Sequence, residues 1–310
     1  MTQADRCVKF GALNFNIIAD RSPMQPEKKV FALLRSAIIS VIENKIILLP
    51  FLTITFFQIL AIEILYFSPR FPLNLFFGPL ISKLWSPAYM HYPLNLAFLP
   101  NLFQNFNIGL YIFVNTFLIC TAVAMISAIN QGEKADIKAA MKNLWPRYVH
   151  IVALAVIVTV TTLGLDWVYG LIFQRALEIR SQSGKFYMLK MMILNGKPFI
   201  SLLISVFGAA VWAYVFPLVA LEKKNIFKAL RDNFKILWRA GIFTFFIVFW
   251  PTLIASMLFM FRTTSLTARH PELSIMLVVL GLIVVALTDA VIYTAVTTYY
   301  LAWKESQKEG

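Results

Sequence analysis

The chain predicts an all-α integral membrane protein: six transmembrane helices in three hairpin units, each unit preceded by a cytoplasmic amphipathic helix. Three observations predict it. Of 310 residues, 59% are hydrophobic and only 14% are charged, where a soluble domain carries about 25% charge. Six apolar runs reach the roughly 20 residues that a helix needs to cross a bilayer. One short cationic segment recurs three times, at 27–36 (EKKVFALLRS), 134–143 (KADIKAAMKN) and 224–233 (KNIFKALRDN), each ahead of a long apolar run. A repeat of this kind reads as similar units packed side by side.

Residues 1–25 read as a polar cytoplasmic tail. Within it, 10–19 is too short and too interrupted by Asn14 and Asn16 to form the apolar region of a signal peptide. The first span is therefore expected to serve as its own uncleaved insertion signal. From 26 to 303 the chain reads as a single transmembrane domain, opening with an amphipathic helix over about 26–45 that sets Val30, Phe31, Leu34 and Ile38 on one face. The first span follows over 46–66.

The connection 67–107 is too apolar for a solvated loop and too rich in proline for a span. It holds a small duplication, PLNLFFGP at 72–79 and PLNLAFLP at 93–100, with Trp85, Tyr89 and Tyr92 between the copies. Irregular backbone is not tolerated in hydrocarbon, so this stretch is expected to lie along the outer interface as short helical turns or shallow dips.

Spans two and three are expected over 108–129 and 148–173, joined by an amphipathic helix over 132–146 whose apolar side is Ile137, Met141, Leu144 and Trp145. Span four covers 198–221. The third amphipathic helix, 222–238, sets Ile226, Phe227, Leu230, Phe234 and Leu237 against Lys224, Lys228, Arg231 and Lys235. Spans five and six cover 241–261 and 273–303, and 304–310 is a short cytoplasmic tail. Pro50, Pro217 and Pro251 inside the spans predict kinks. Gly164, Gly208, Ala209, Ala210 and Gly281 are expected to let the three units pack closely about a common axis.

The formal net charge is +13, but the basic residues flank the apolar runs and do not gather into one folded basic region. That placement favours anionic lipid headgroups and argues against nucleic acid. The candidate headgroup contacts are Lys28, Lys29, Lys134, Lys138, Lys142, Lys224, Lys228 and Arg231. Most Lys and Arg fall on one side of the six spans, so the positive-inside rule places both termini and all three amphipathic segments in the cytoplasm, although the basic loop 175–197 runs against it. An apolar stripe backed by Lys and Arg describes a helix lying in the headgroup plane. Such helices act as elbows that orient the next span, or as docking surfaces for anionic lipid or for a membrane or cytoplasmic protein partner.

An ionisable side chain inside a span is a functional candidate by default. Asp289 lies near the middle of the sixth run, with Tyr293 following at helical spacing, and Gln58 reaches a similar depth in the first run. No Lys or Arg lies at that level, so an ionised Asp289 has no partner there and is expected to stay neutral or to bond to hydroxyl and amide groups. Asp166, beside Trp167, falls toward the outer end of the third run, where Asn115 is placed to pair with it.

His91, His150 and His270 lie in separate segments, and the sequence holds no H-E-x-x-H pair, no G-x-S-x-G elbow and no complete phosphate-binding loop. Cys7 and Cys120 suggest neither a disulfide framework nor a zinc site. No cofactor or metal is expected.

The stretch 212–222 (WAYVFPLVALE), followed by 227–231 (FKALR), resembles a pattern in the membrane domain of glycerophosphodiester phosphodiesterases and in related six-span bacterial membrane proteins. Pro217, Glu222, Ala229, Leu230 and Arg231 carry the match, and 139–142 echoes it one unit earlier. The resemblance implies a bacterial inner-membrane protein of six spans without that family's separate catalytic domain, and so without its activity. The expected role is a non-enzymatic bundle that organises membrane, lipid or partners. The alternative is a small-solute or lipid transporter or channel built on Asp289.

Overall fold

The computed structural model of the chain describes residues 26–91, 94–178, 185–222, 224–260 and 271–307. Among them every regular element is helical. Six helical stretches are long and apolar enough to cross a membrane: Lys45–Phe67, Leu99–Asn130, Ile137–Glu178, Lys197–Glu222, Ile226–Met257 and Met276–Ser306. They coincide with the six expected runs apart from their ends, and by helix length and composition the chain reads as a multi-pass membrane protein.

The first half of the chain comprises α1 (Pro26–Glu43), α2 (Leu48–Phe67), α3 (Leu73–Leu84), α4 (Leu94–Leu110), α5 (Thr116–Asn130) and α6 (Ile137–Leu144). The second half comprises α7 (Tyr148–Glu178), α8 (Lys185–Asn195), α9 (Lys197–Val211), α10 (Val215–Glu222), α11 (Ile226–Met260) and α12 (Pro271–Ser306). Helix α12 is the central post and packs against α1, α2, α5 and α11. Its alanines Ala286, Ala290, Ala295 and Ala302 are buried, and short side chains let neighbouring helices approach closely. A second, smaller core gathers Ile62 and Leu65 of α2, Ile81 of α3, and Leu99 and Phe103 of α4.

Local signals place several boundaries. Helix α5 ends in a Schellman motif: Glu133 N–H donates to Ala128 O at 2.9 Å and Gly132 N–H to Ile129 O at 3.0 Å. Gly132 there has φ +78°, a conformation glycine adopts without a Cβ clash. Asp136 caps α6, its carboxylate accepting from Lys138 N–H at 2.9 Å. Pro50 falls in the first turn of α2, where its missing N–H costs no intrahelical bond.

The structure departs from the sequence expectations at five places. The second copy of the outer duplication is not a separate interfacial turn. Its residues from Leu94 onward open α4, with Pro100 inside the helix, and α4 runs on into the second span. A π-turn at Tyr111–Asn115 joins α4 to α5. The third amphipathic segment and the fifth span form one unbroken 35-residue helix, α11, which carries Pro251 within it. The bundle takes a face of that segment other than its apolar stripe. Ala229, Asn233 and Ile236 are fully buried, whereas Phe227 and Trp238 are 86% and 94% exposed.

In α1 the buried side is Val30, Leu33, Leu34, Ala37 and Val41, with Phe31 and Ile38 turned outward. The helix packs against α12 and α11, and Phe31 meets the Trp250 ring at 5.4 Å. Span four is broken, not kinked: α9 stops at Val211 and α10 starts at Val215. Last, Gly164 has open space where a Cβ would sit, and Gly208 meets only Leu165 Cδ1 at 3.9 Å. Neither glycine is a close-packing point.

Candidate functional site: an intramembrane cavity beside a broken helix

Four helices each turn one stripe of side chains toward a shared space. Helix α4 and its π-turn contribute Gln104, Asn107, Ile108 and Tyr111; α9 and its end contribute Ser205, Gly208, Ala209 and Trp212; α12 contributes Asp289, Ile292, Tyr293 and Val296. Each set follows the i, i+3, i+4, i+7 spacing that in a packed bundle would fill the core. Here Ser205, Gly208 and Ala209 supply too little volume to fill it. The result, completed by Thr159 and Thr162 of α7, is a cavity of about 460 Å³. It is open to the outside, because Leu163, Ser205 and Ala209 line it and are nevertheless exposed. They form a mouth between α7 and α9.

The polar groups on this wall are unusually idle. Asp289 makes no hydrogen bond or ion pair with any described residue. Thr159 Oγ1 is buried without a partner. Tyr111 lies in the π-turn, whose carbonyl accepts from Thr116 Oγ1 at 2.6 Å, and such widened turns recur at functional sites. By contrast, Thr162 and Thr252 spend their hydroxyls on the carbonyls of Val158 and Val248, at 2.9 and 2.7 Å. No Lys, Arg or His is among the described lining residues. A second cavity of about 220 Å³ shares Gln104 and Asn107 with the first and reaches Val278 and Leu282, toward the Pro271 end of α12.

The break in span four borders the same space and has a clear cause. Pro217 lacks an N–H and so cannot bond back to Ala213 in a continuing helix. The chain instead turns through Trp212–Tyr214, freeing backbone groups that hydrocarbon cannot satisfy. Asn233 of α11 answers two of them. Its Nδ2 donates to Val211 O at 2.8 Å, and its Oδ1 accepts from Tyr214 N–H at 3.2 Å. Three turns further along α11, Thr244 Oγ1 lies 2.6 Å from the Tyr214 hydroxyl. Both of these α11 side chains are fully buried.

The other end of α10 is fixed by charge. Glu222 accepts from the Tyr300 hydroxyl and pairs with Lys224 at 2.5 Å and Lys304 at 3.0 Å. Lys224 also reaches Asp232 at 2.6 Å. The short α10, whose Val215, Phe216, Leu218 and Val219 are buried, is thus tied to α11 at the break and to α12 and Lys224 at its Glu222 end.

Of the sequence candidates, Asp289 and Tyr293 meet at the cavity, as expected from their spacing. Asp289 does not bond to hydroxyl or amide groups, because the cavity leaves it facing space. Gln58 stands one layer behind, donating to Asn107 Oδ1 at 2.9 Å. Asn115 and Asp166 do not pair: Asn115 is buried with Oδ1 unpartnered, and Asp166 is exposed on α7. The side chains of Lys134, Lys138, Lys142, Lys228 and Arg231 are exposed, whereas Lys224 is taken up by Glu222 and Asp232 and is corrected as a headgroup contact. Lys29 is half-buried, and the side chain of Lys28 lies outside what the structure describes.

Sequence reasoning missed Tyr111, Asn107 and Asn233. Asn233 closes the repeated segment just as Asn143 does, but Asn143 is exposed, so the repeat carried no sign of its role. No family model, curated protein or solved structure matches the chain.

Proposed function

We propose that this protein is a membrane-embedded carrier that takes a small, largely apolar solute with one polar group into the cavity beside Asp289. The observation that supports this reading most is the idle polar wall: Asp289 and Thr159 without partners in an open cavity. Buried polar groups are normally paired, and intramembrane carboxylates normally find partners or mark a solute path. The size falls in the range of small-molecule sites, about 300–1,000 Å³. Interrupted spans recur where transporters hold their cargo, and the shared Gln104–Asn107 wall offers a continuation toward the Pro271 end.

The same proposal keeps three hairpin units with cytoplasmic elbows, both termini in the cytoplasm of a bacterial cell, and kinship with six-span proteins resembling the phosphodiesterase membrane domain. No catalysis is part of it. The exposed Lys134, Lys138, Lys142, Lys228 and Arg231 support a second role, organisation of anionic lipid or a partner at the inner face, which is compatible with carriage.

A cavity-filling change tests the reading. A Cβ added at Gly208 would meet only Leu165 Cδ1, at 3.9 Å, and Gly208 lines the cavity, so Gly208→Leu should fold and occupy the space. Thermal unfolding of the detergent-purified chain is measured with tetraethylammonium, benzyltrimethylammonium, phenylphosphonate and 3,3-dimethylbutyl acetate. A solute held at 100 times its Kd stabilises by about 2.7 kcal/mol. At least one of the four should raise the wild-type Tm and leave Gly208→Leu unmoved. Equal shifts in the two proteins, or none in the wild type, contradict the carrier reading.

A further inference from the structure

We infer that the solute this cavity is built to hold is a cation, bound by the Asp289 carboxylate among aromatic rings. The inference rests on the carrier reading and deepens it. A carboxylic acid facing a low-dielectric space keeps its proton when alone and ionises where a positive charge meets it. The described residues supply none: no basic side chain among them lines the cavity, and Asp289 has no ion pair with any of them.

What the wall does supply is aromatic. Tyr111, Trp212, Phe216 and Tyr293 all line the same space as Asp289. Tyr293 is flanked by Phe216 at 6.2 Å and by one further ring, Phe51, at 6.1 Å between centroids. Ring faces carry negative potential and attract ammonium groups, more strongly where water is displaced. A carboxylate and several rings around one volume form a site for an ammonium or similar organic cation. A cation stabilises the ionised form of Asp289 and takes the place of its proton, whereas an anion or a neutral solute gives that form no counter-charge. The mouth between α7 and α9 opens at Leu163, Ser205 and Ala209, so a cation with an apolar body suits the entrance as well as the wall.

The test isolates charge from shape. Acetylcholine and 3,3-dimethylbutyl acetate differ only in a quaternary nitrogen against a quaternary carbon, and serve here purely as probes. Equilibrium binding of each is measured on the full chain in nanodiscs of uncharged phosphatidylcholine. The wild type should prefer the cation by about tenfold or more, and Asp289→Asn should bring the two within about threefold. Asp289→Glu keeps the charge and should keep the preference, which separates loss of the charge from loss of the fold.

Equal binding of both probes, abolished by Gly208→Leu, overturns the cation and leaves the cavity standing. A preference that survives in Asp289→Asn or Gly208→Leu places the cation elsewhere and also overturns the inference. Failure of the wild type to bind either probe overturns it too, while the carrier reading is decided separately by the four-solute unfolding series.

Discussion

Asn233→Ala is expected to destabilise the folded chain by about 2–5 kcal/mol, because it strips two backbone groups of their only described partners. The Val211 carbonyl and the Tyr214 N–H lie where the helix is interrupted, and both bonds cross from α11 to the break. With Asn233 fully buried, no water replaces either bond without opening the bundle. Each unsatisfied group costs about 1–3 kcal/mol. The internal control is Asn143, which ends the preceding copy of the repeat but is exposed. Asn143→Ala should change stability by no more than about 0.5 kcal/mol. Denaturant unfolding of both variants in one detergent checks the contrast. Indistinguishable midpoints would mean that Asn233 does not hold the break.

Glu222→Ala should cost about 2–3 kcal/mol, the second large effect. The carboxylate is 15% exposed and takes donors from three directions: the Tyr300 hydroxyl, Lys224 and Lys304. Hydrogen bonds to charged groups contribute about 1.5–3 kcal/mol each. Lys304 is 41% exposed, so its share is discounted for solvent screening. The loss falls mainly on Tyr300, whose side chain is fully buried, and on Lys224.

The pH dependence has a definite sign. Partial burial lowers the Lys224 ammonium, but the carboxylates of Asp232 and Glu222 outweigh burial and hold it above the ordinary lysine value. A raised lysine stabilises the fold fully below its unfolded pKa of about 10.4, and the contribution disappears as pH rises through the folded value. Wild-type stability from this pair should therefore be flat across neutral pH and fall in strong alkali. In Glu222→Ala the alkaline fall should be shallower. Stability curves from pH 7 to the alkaline limit read both; an unchanged alkaline fall in the variant would show that Glu222 does not hold Lys224.

Span number was legible because crossing hydrocarbon imposes a length and a composition that few other structures need. The six runs could be read with no knowledge of their neighbours. Asp289 and Tyr293 were legible for a related reason, since a carboxylate in an apolar run is costly and their spacing puts them on one face. What stayed hidden depends on a second helix. Pro217 announced a kink, but the full break at Trp212–Tyr214 leaves backbone groups that Asn233 satisfies, and nothing near Asn233 in sequence says so. Which face of 226–238 meets the bundle was hidden in the same way: Ala229, Asn233 and Ile236 are buried there, whereas Phe227 and Phe234 of the apolar stripe are 86% and 49% exposed. The cavity was hidden because Ser205, Gly208 and Ala209 are the residue types that elsewhere bring helices together.

Thiol labelling on α9 tests the bilayer-spanning bundle and its polar cavity together. Ser205 lines the cavity, whereas Phe207, on another face of the same helix, is 54% exposed on the outer surface. Single cysteines are placed at these positions after Cys7→Ser and Cys120→Ala. Native membranes are then treated with a cationic methanethiosulfonate, which reacts with the hydrated thiolate and not with a thiol in lipid. Ser205→Cys, at the mouth of the hydrated cavity, should label, while Phe207→Cys on the lipid side should not. Faster reaction at Phe207→Cys would contradict the membrane-facing surface, and silence at Ser205→Cys would contradict the cavity.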